Sequence, residues 1–251
     1  MTKIFFVTGA TAGFGKSISE KLIAEGHTVI GCGRRAERLQ NMRDTLGDKF
    51  YPLAFDIQCK EAIAKAINGL PVELKAIDVL VNNAGLAKGL ANAQNAKIDD
   101  WEQMVDTNIK GLLHVTHHIL PGMVERNHGM IINMGSIAGN WPYPGGNVYG
   151  GTKAFVRQFS LNLRADLAGT NVRVSNIEPG LCGDTEFSYV RFTGDEAKVK
   201  ALYDNVDFIR PEDIANVVSW IASQPEHVNI NSIEIMPVAQ SFSALNVSRK
   251  A

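Results

Sequence analysis

Short apolar runs alternate with longer stretches of helical spacing from end to end of the chain. Residues 3–8, KIFFVT, are rich in β-formers and run into a glycine turn. The stretch SISEKLIAEG follows, with Ile18, Leu22 and Ile23 at helical spacing. Further strands are predicted over 28–32, 51–55, 77–81, 130–134, 172–177 and 232–237. Residues 99–126 read as one long helix, with Pro121 breaking or bending its last part. A second long helix is predicted over 149–168, and Pro211 opens another with Glu212 and Asp213 at its positive end. Residues 181–208 read as irregular and polar, the pattern of a lid over a pocket. No linker or repeat interrupts the alternation. The prediction is an α/β fold over 1–251, a single doubly wound parallel sheet with helices on both faces. Residues 238–251 form a tail in which Phe242, Leu245 and Val247 are expected to pack on a surface or a neighbouring subunit.

Composition narrows the function classes. The apolar share of 45% is that of a globular protein, and the formal net charge of −1 offers no basic field for nucleic acid. No apolar run reaches the roughly 18 residues of a membrane span. The N-terminus lacks a cleavage pattern and runs straight into a glycine motif, so no signal peptide is expected. Cys32, Cys59 and Cys182 are far apart with no CxxC, which suits a reducing cytoplasm. His114, His117 and His118 have no carboxylate or Cys at ligand spacing, and no metal is expected.

The candidate chemistry begins at the first turn. Gly9, Ala10, Thr11, Ala12, Gly13, Phe14 and Gly15 lie between strand and helix, where glycines let a backbone approach a pyrophosphate. The spacing is GxxxGxG, not GxGxxG. After the second strand come Arg34 and Arg35, where an NAD site has an acid; arginines suit the 2′-phosphate of NADP. Asp56, beside Ile57, could accept from an adenine amino group or cap the next helix. Asn83, Ala84 and Gly85 are small enough to let the backbone run close to a ligand. Asn108, unfavourable inside a helix, is a candidate site residue.

The stretch 136–153, SIAGNWPYPGGNVYGGTK, holds the reacting pair. Tyr149 and Lys153 are four positions apart, on one face of a helix. A cation beside a phenol lowers its pKa. Bringing Tyr from ~10 to ~7 takes roughly 4 kcal/mol, more than one lysine supplies, so a second positive group is expected nearby, and a bound oxidised nicotinamide would be one. Arg191, flanked by Val190 and Phe192, is the candidate reader of an anionic substrate. Its alternative is an ion pair with Asp184, Glu186 or Asp195, and Arg157 is a rival reader.

Together these pieces resemble the short-chain dehydrogenase/reductase family: the 8–15 turn, Asn82-Asn83-Ala84-Gly85, Asn108, Ser136, Tyr149 to Lys153 and Pro179-Gly180. The resemblance implies a Rossmann-like domain with NADP(H) as cofactor. It implies Tyr149 as acid/base, Lys153 on the nicotinamide ribose, Ser136 on the substrate oxygen and Asn108 completing a proton relay. Pro179, Gly180, Leu181, Cys182, Thr185 and Phe187 complete the implied cofactor set. Finer features resemble the bacterial NADP-dependent 3-hydroxy acid dehydrogenases, which act on serine, L-allo-threonine and 3-hydroxypropionate-like compounds. Sulfoacetaldehyde reductases are similar throughout. Asp184 stands where that pattern usually has Gly, with Pro144 and Cys182 in the same region. The implied partner is a small anionic alcohol or aldehyde, and the implied assembly a homotetramer. A non-catalytic NADP-binding protein would lack Tyr149, Lys153 or Ser136; all three are present.

Overall fold

The computed structural model describes residues 2–242, so Leu245 and Val247 of the expected tail lie outside the described residues. Seven strands form one parallel sheet: β1 (Ile4–Thr8), β2 (Thr28–Gly33), β3 (Phe50–Ala54), β4 (Val79–Asn82), β5 (Gly129–Met134), β6 (Val172–Pro179) and β7 (Ser232–Ile235). Their order is β3-β2-β1-β4-β5-β6-β7, so the order in which successive strands are laid down reverses between β1 and β4. This is the doubly wound, Rossmann-like α/β fold.

Strands buried on both faces explain the continuous apolar runs. Alternate residues go to opposite sides. Phe5, Val7, Val79, Val81, Met130 and Ile132 share one core with α1 (Gly13–Ala24), α2 (Ala36–Leu46) and α9 (Pro211–Ser223). Phe6, Ile30, Leu80, Ile131, Val172 and Val174 face the other, with α3 (Lys60–Asn68), α5 (Leu112–Glu125) and α6 (Asn147–Asp166).

Some boundaries differ from the pattern's prediction. β6 runs two residues further because Glu178 and Pro179 still pair with Glu234 and Ile235 of β7. The long helix is divided at Asn108 and not at Pro121. α4 (Ile98–Val105) passes through a π-helical turn, Asp106–Gly111, into α5, which continues beyond Pro121 to Glu125. A π turn inserts one residue and re-aims the side chains around it, a device common at functional sites. The stretch 181–208 is not irregular throughout. It holds α7 (Phe187–Arg191) and α8 (Glu196–Tyr203), the latter capped by Asp195 accepting from Lys198 N. Helical spacing over five to eight residues is too short to stand out from a polar loop. α9 begins as expected, with Pro211 first and Asp213 accepting from Arg210 N at 2.8 Å.

Candidate active site

The carboxyl ends of the strands open onto a cavity of about 610 Å³ that spans the reversal between β1 and β4, where sheets of this kind bind ligands. Gly9, Thr11, Ala12, Gly13 and Phe14 line one end. Ala10 and Gly15 do not: both are buried behind the turn and shape it from beneath. A Cβ on Gly15 would stand 2.2 Å from the Gly9 carbonyl oxygen, and Gly9 itself has φ +69°. Only glycines allow that approach, and it brings the N–H groups at the start of α1 to the cavity wall.

The ends of β2 and β3 carry the charge. Arg34, Arg35, Asp56 and Ile57 all line the cavity. Arg35 donates from Nε and Nη2 to Thr11 Oγ1 at 3.2 and 2.9 Å, and its Nη1 lies 2.7 Å from Glu186 Oε2. Arg34 Nη1 is 3.8 Å from Asp56 Oδ2. Asp56 does not cap a helix. Its Oδ1 accepts from Gln58 N at 3.0 Å in a local turn, and α3 starts only at Lys60. Arg38, passed over in the sequence, places Nη1 2.6 Å from Glu186 Oε1. Its place in the first turn of α2, three positions beyond the N-cap Arg35, is the available signal. In the middle of the cavity, Asn83, Ala84 and Gly85 are pinned to β1: Thr8 Oγ1 accepts from Ala84 N at 2.9 Å, and Asn83 Nδ2 donates to Thr8 O at 2.8 Å.

Ser136, at the end of β5, meets Tyr149 and Lys153 on one face of α6. Lys153 Nζ donates to Met134 O at 2.8 Å and lies 5.8 Å from the centre of the Tyr149 ring. Ser136 Oγ accepts from Ala138 N at 3.1 Å. Both members of the pair are buried, and burial disfavours whichever form is charged. It pushes the Tyr149 phenol above its ordinary value, with Ser136 and Arg191 pulling the other way. It lowers Lys153 to about 8. The depression of Tyr149 expected from the spacing of the pair is therefore outweighed in the cofactor-free chain.

The π turn re-aims Asn108, which does not line the cavity but clamps its wall. Asn108 Oδ1 accepts from Leu86 N at 2.8 Å, and its Nδ2 donates to Leu86 O at 2.8 Å and Thr152 Oγ1 at 3.0 Å. Thr152 in turn donates to Tyr149 O at 2.8 Å. The side chain thus reaches Tyr149 through the backbone of α6.

The 181–208 segment closes the far side, and Pro179, Gly180, Leu181, Cys182, Thr185 and Phe187 all face the cavity. Burial pushes the Cys182 thiol up to about 12, so it is an inert wall. Pro144 does not line the cavity, whereas Pro142 and Tyr143 do. Asp184 faces an adjoining second cavity and has φ +53°, a left-handed conformation in which glycine is the easier residue. Arg191 makes no ion pair with Asp184, Glu186 or Asp195, the alternative weighed for it. Its Nη2 donates to the Tyr143 hydroxyl at 2.7 Å and its Nε to Gly89 O at 3.4 Å. The guanidinium carbon stands 5.4 Å from the Tyr143 ring and 5.5 Å from the Tyr149 ring. Arg157 is committed elsewhere, 3.5 Å from the buried Glu178 carboxylate. From the tail, Phe242 packs on Trp141 with ring centres 4.6 Å apart.

Residues 3–196 match the family model for short chain dehydrogenases. The chain belongs to that family. It is 61% identical over 99% of both chains to "Probable NADP-dependent dehydrogenase" of Haemophilus influenzae. It is 58% identical to the NADP-dependent 3-hydroxy acid dehydrogenase YdfG of Escherichia coli K12, over 98% of this chain and all of that one. A solved structure, the closed form of serine dehydrogenase complexed with NADP+, superposes with a TM-score of 0.97 at 58% identity, over 98% of this chain and all of that one. The glycine cradle, the exposed start of α1 and the arginines beyond β2 fit such a dinucleotide: they offer close backbone approach and positive charge where pyrophosphate and 2′-phosphate need them.

Proposed function

We propose that this chain is an NADP-dependent oxidoreductase that moves a hydride between NADP(H) and a small acid-bearing alcohol or aldehyde. The substrate class is a 3-hydroxy acid, of the kind represented by 3-hydroxypropionate, serine and L-allo-threonine. The observation that carries the acid is Arg191. Its polar partners among the described residues are neutral, Tyr143 and Gly89, and its guanidinium lies over the Tyr149 ring. A half-buried cation with neutral partners, facing the proton-transfer group, suits a carboxylate held in two-point contact. Of the two anions weighed, the relatives named above favour carboxylate over sulfonate.

The nicotinamide cofactor accepts or supplies the hydride. Gly9, Thr11, Ala12, Gly13, Phe14, Arg34 and Arg35 would hold its phosphates, with Asp56 and Ile57 beside the adenine and Lys153 on the nicotinamide ribose. Tyr149, kept protonated by burial, donates its proton to the substrate oxygen during reduction and takes it back during oxidation. Ser136 Oγ donates to the same oxygen as charge develops there. Asn108 acts as a positioning residue, fixing Leu86 and, through Thr152, the backbone of Tyr149. The segment 181–208 is the lid, and Gly89 N donating to Arg191 O at 2.9 Å ties it to the loop beyond β4.

Arg191→Met tests the reading. The KM for an acidic substrate should rise at least tenfold, with little change for a neutral aldehyde of similar size; equal effects on both would assign Arg191 to the lid alone. Assembly as a homotetramer in the cytoplasm belongs to the same proposal. Leu161 on α6 and Val124 on α5 are 38% and 39% exposed, apolar area that a partner would cover. Light scattering at micromolar concentration checks it, and a monomer would contradict it.

A further inference from the structure

Glu186 is a lid residue, immediately before α7, yet its carboxylate reaches across to the far end of the cavity. Oε2 lies 2.7 Å from Arg35 Nη1 and Oε1 lies 2.6 Å from Arg38 Nη1. One carboxylate therefore spans two guanidiniums, a charge-assisted arrangement that a phosphate could also make. Thr185 holds the neighbouring backbone against the glycine turn: a Cβ on Gly13 would stand 3.2 Å from Thr185 Cβ. Glu186 lines both the main cavity and the second cavity beside it, and Arg38 lines the second. The lid thus carries its own anion into the cation cluster at the end of β2. Burial works against the Glu186 charge, but the two arginines outweigh it and hold the carboxyl below its ordinary range, so the anion is present at neutral pH.

We infer that Glu186 is an internal competitor for the 2′-phosphate of NADP(H), and that Arg38 is a third cation of the phosphate site. The inference rests on reading Arg34 and Arg35 as that site. A 2′-phosphate entering the cluster meets a fixed negative charge already paired with two of the three arginines. It must share or displace that charge, and sharing brings two anions together. Glu186 therefore lowers the affinity for NADP(H) and leaves NAD(H), which has a neutral 2′-hydroxyl, untouched. Where the phosphate displaces the carboxylate, one anchor of the lid is released, so cofactor occupancy and lid position are coupled through one carboxylate.

The test is equilibrium binding to the full chain by titration calorimetry, with NADP+, NAD+, adenosine 2′-monophosphate and adenosine 5′-monophosphate. Glu186→Gln keeps the shape and removes the charge. NADP+ and adenosine 2′-monophosphate should bind it about tenfold more tightly than wild type, within the reach of two exposed ion pairs. NAD+ and adenosine 5′-monophosphate should be unchanged, and the gain should shrink at high salt. Unchanged or weaker NADP+ binding overturns the inference, as does equal tightening of NAD+, which would place the effect in lid position and not in charge. Arg35→Gln and Arg38→Gln, measured beside it, keep two failures apart. If neither lowers the NADP+ to NAD+ preference, the phosphate-site reading itself fails. If they lower it while Glu186→Gln leaves it alone, only the competition fails. An unchanged melting temperature of Glu186→Gln shows that the variant is folded.

Discussion

Lys153 gives the most quantitative handle on the site. Its ammonium is buried on α6, with Met134 O as its acceptor among the described residues, and burial lowers its pKa from 10.5 to about 8. At 1.36 kcal/mol for each tenfold change in ionisation, that displacement is on the order of 3 kcal/mol of penalty carried by the folded, cofactor-free chain. The sign follows from linkage. Between about pH 8 and 10.5 the unfolded chain binds a proton at this lysine that the folded chain has released, so stability rises with pH across that window. Below pH 8 both states are protonated and the full penalty is present. Lys153→Met removes the charge and keeps much of the length. At pH 7 the variant should be more stable than wild type by up to roughly 3 kcal/mol, less about 1 for the lost bond to Met134. The difference should close as pH rises towards 10.5. Urea unfolding of both chains without cofactor, from pH 7 to 10, measures it. A difference that stays constant over that range would refute the assignment of a depressed lysine, and a less stable variant at pH 7 would show that the Met134 contact outweighs burial.

Two other outcomes are expected. Tyr149→Phe keeps the ring and loses the proton, so turnover should fall by about 10²–10⁴ while NADP+ affinity, measured by titration, stays close to wild type; near-normal turnover would remove Tyr149 from the chemistry. Neutral residues at both Arg34 and Arg35 should raise the KM for NADPH with little effect on NADH, and equal effects on both cofactors would make the pair a surface feature.

Much of this was legible in the sequence because parallel strands buried on both faces leave continuous apolar runs, and turns at their carboxyl ends leave glycines. Tyr149 and Lys153 were readable because their spacing is set by one helix. The residues that escaped depend on distances between elements remote in sequence. Tyr143 receives Arg191 across 48 positions, and Arg35 meets Glu186 across 151. Neither contact has a local pattern. Asn108 stands out as an oddity inside a helix, but its π turn has no periodic signature, and Pro121 is the more conspicuous candidate for a break. In α5 that proline forfeits a single N–H donor, and the buried Leu112, Val115, Ile119 and Met123 hold the helix to the sheet across it.

The charge around Tyr149 also changes how the pair is understood. Spacing alone makes Lys153 the cation that tunes the phenol, yet that lysine is itself strained by burial. A cation other than a bound nicotinamide also stands beside the phenol, although it does not outweigh burial. Arg191 stands 5.5 Å from the Tyr149 ring, slightly nearer than the 5.8 Å of Lys153, and it acts to lower the phenol's pKa. Arg191 rides on the lid, whereas Lys153 is fixed in α6. The two cations beside the Tyr149 ring therefore come from different elements, one from the 181–208 segment and one from α6. The guanidinium offsets part of the burial that keeps the phenol neutral. On the proposed reading of Arg191 as the contact for the substrate's acid group, one residue would serve both the anion and Tyr149, which neither the Tyr149–Lys153 spacing nor the composition of 181–208 expresses alone.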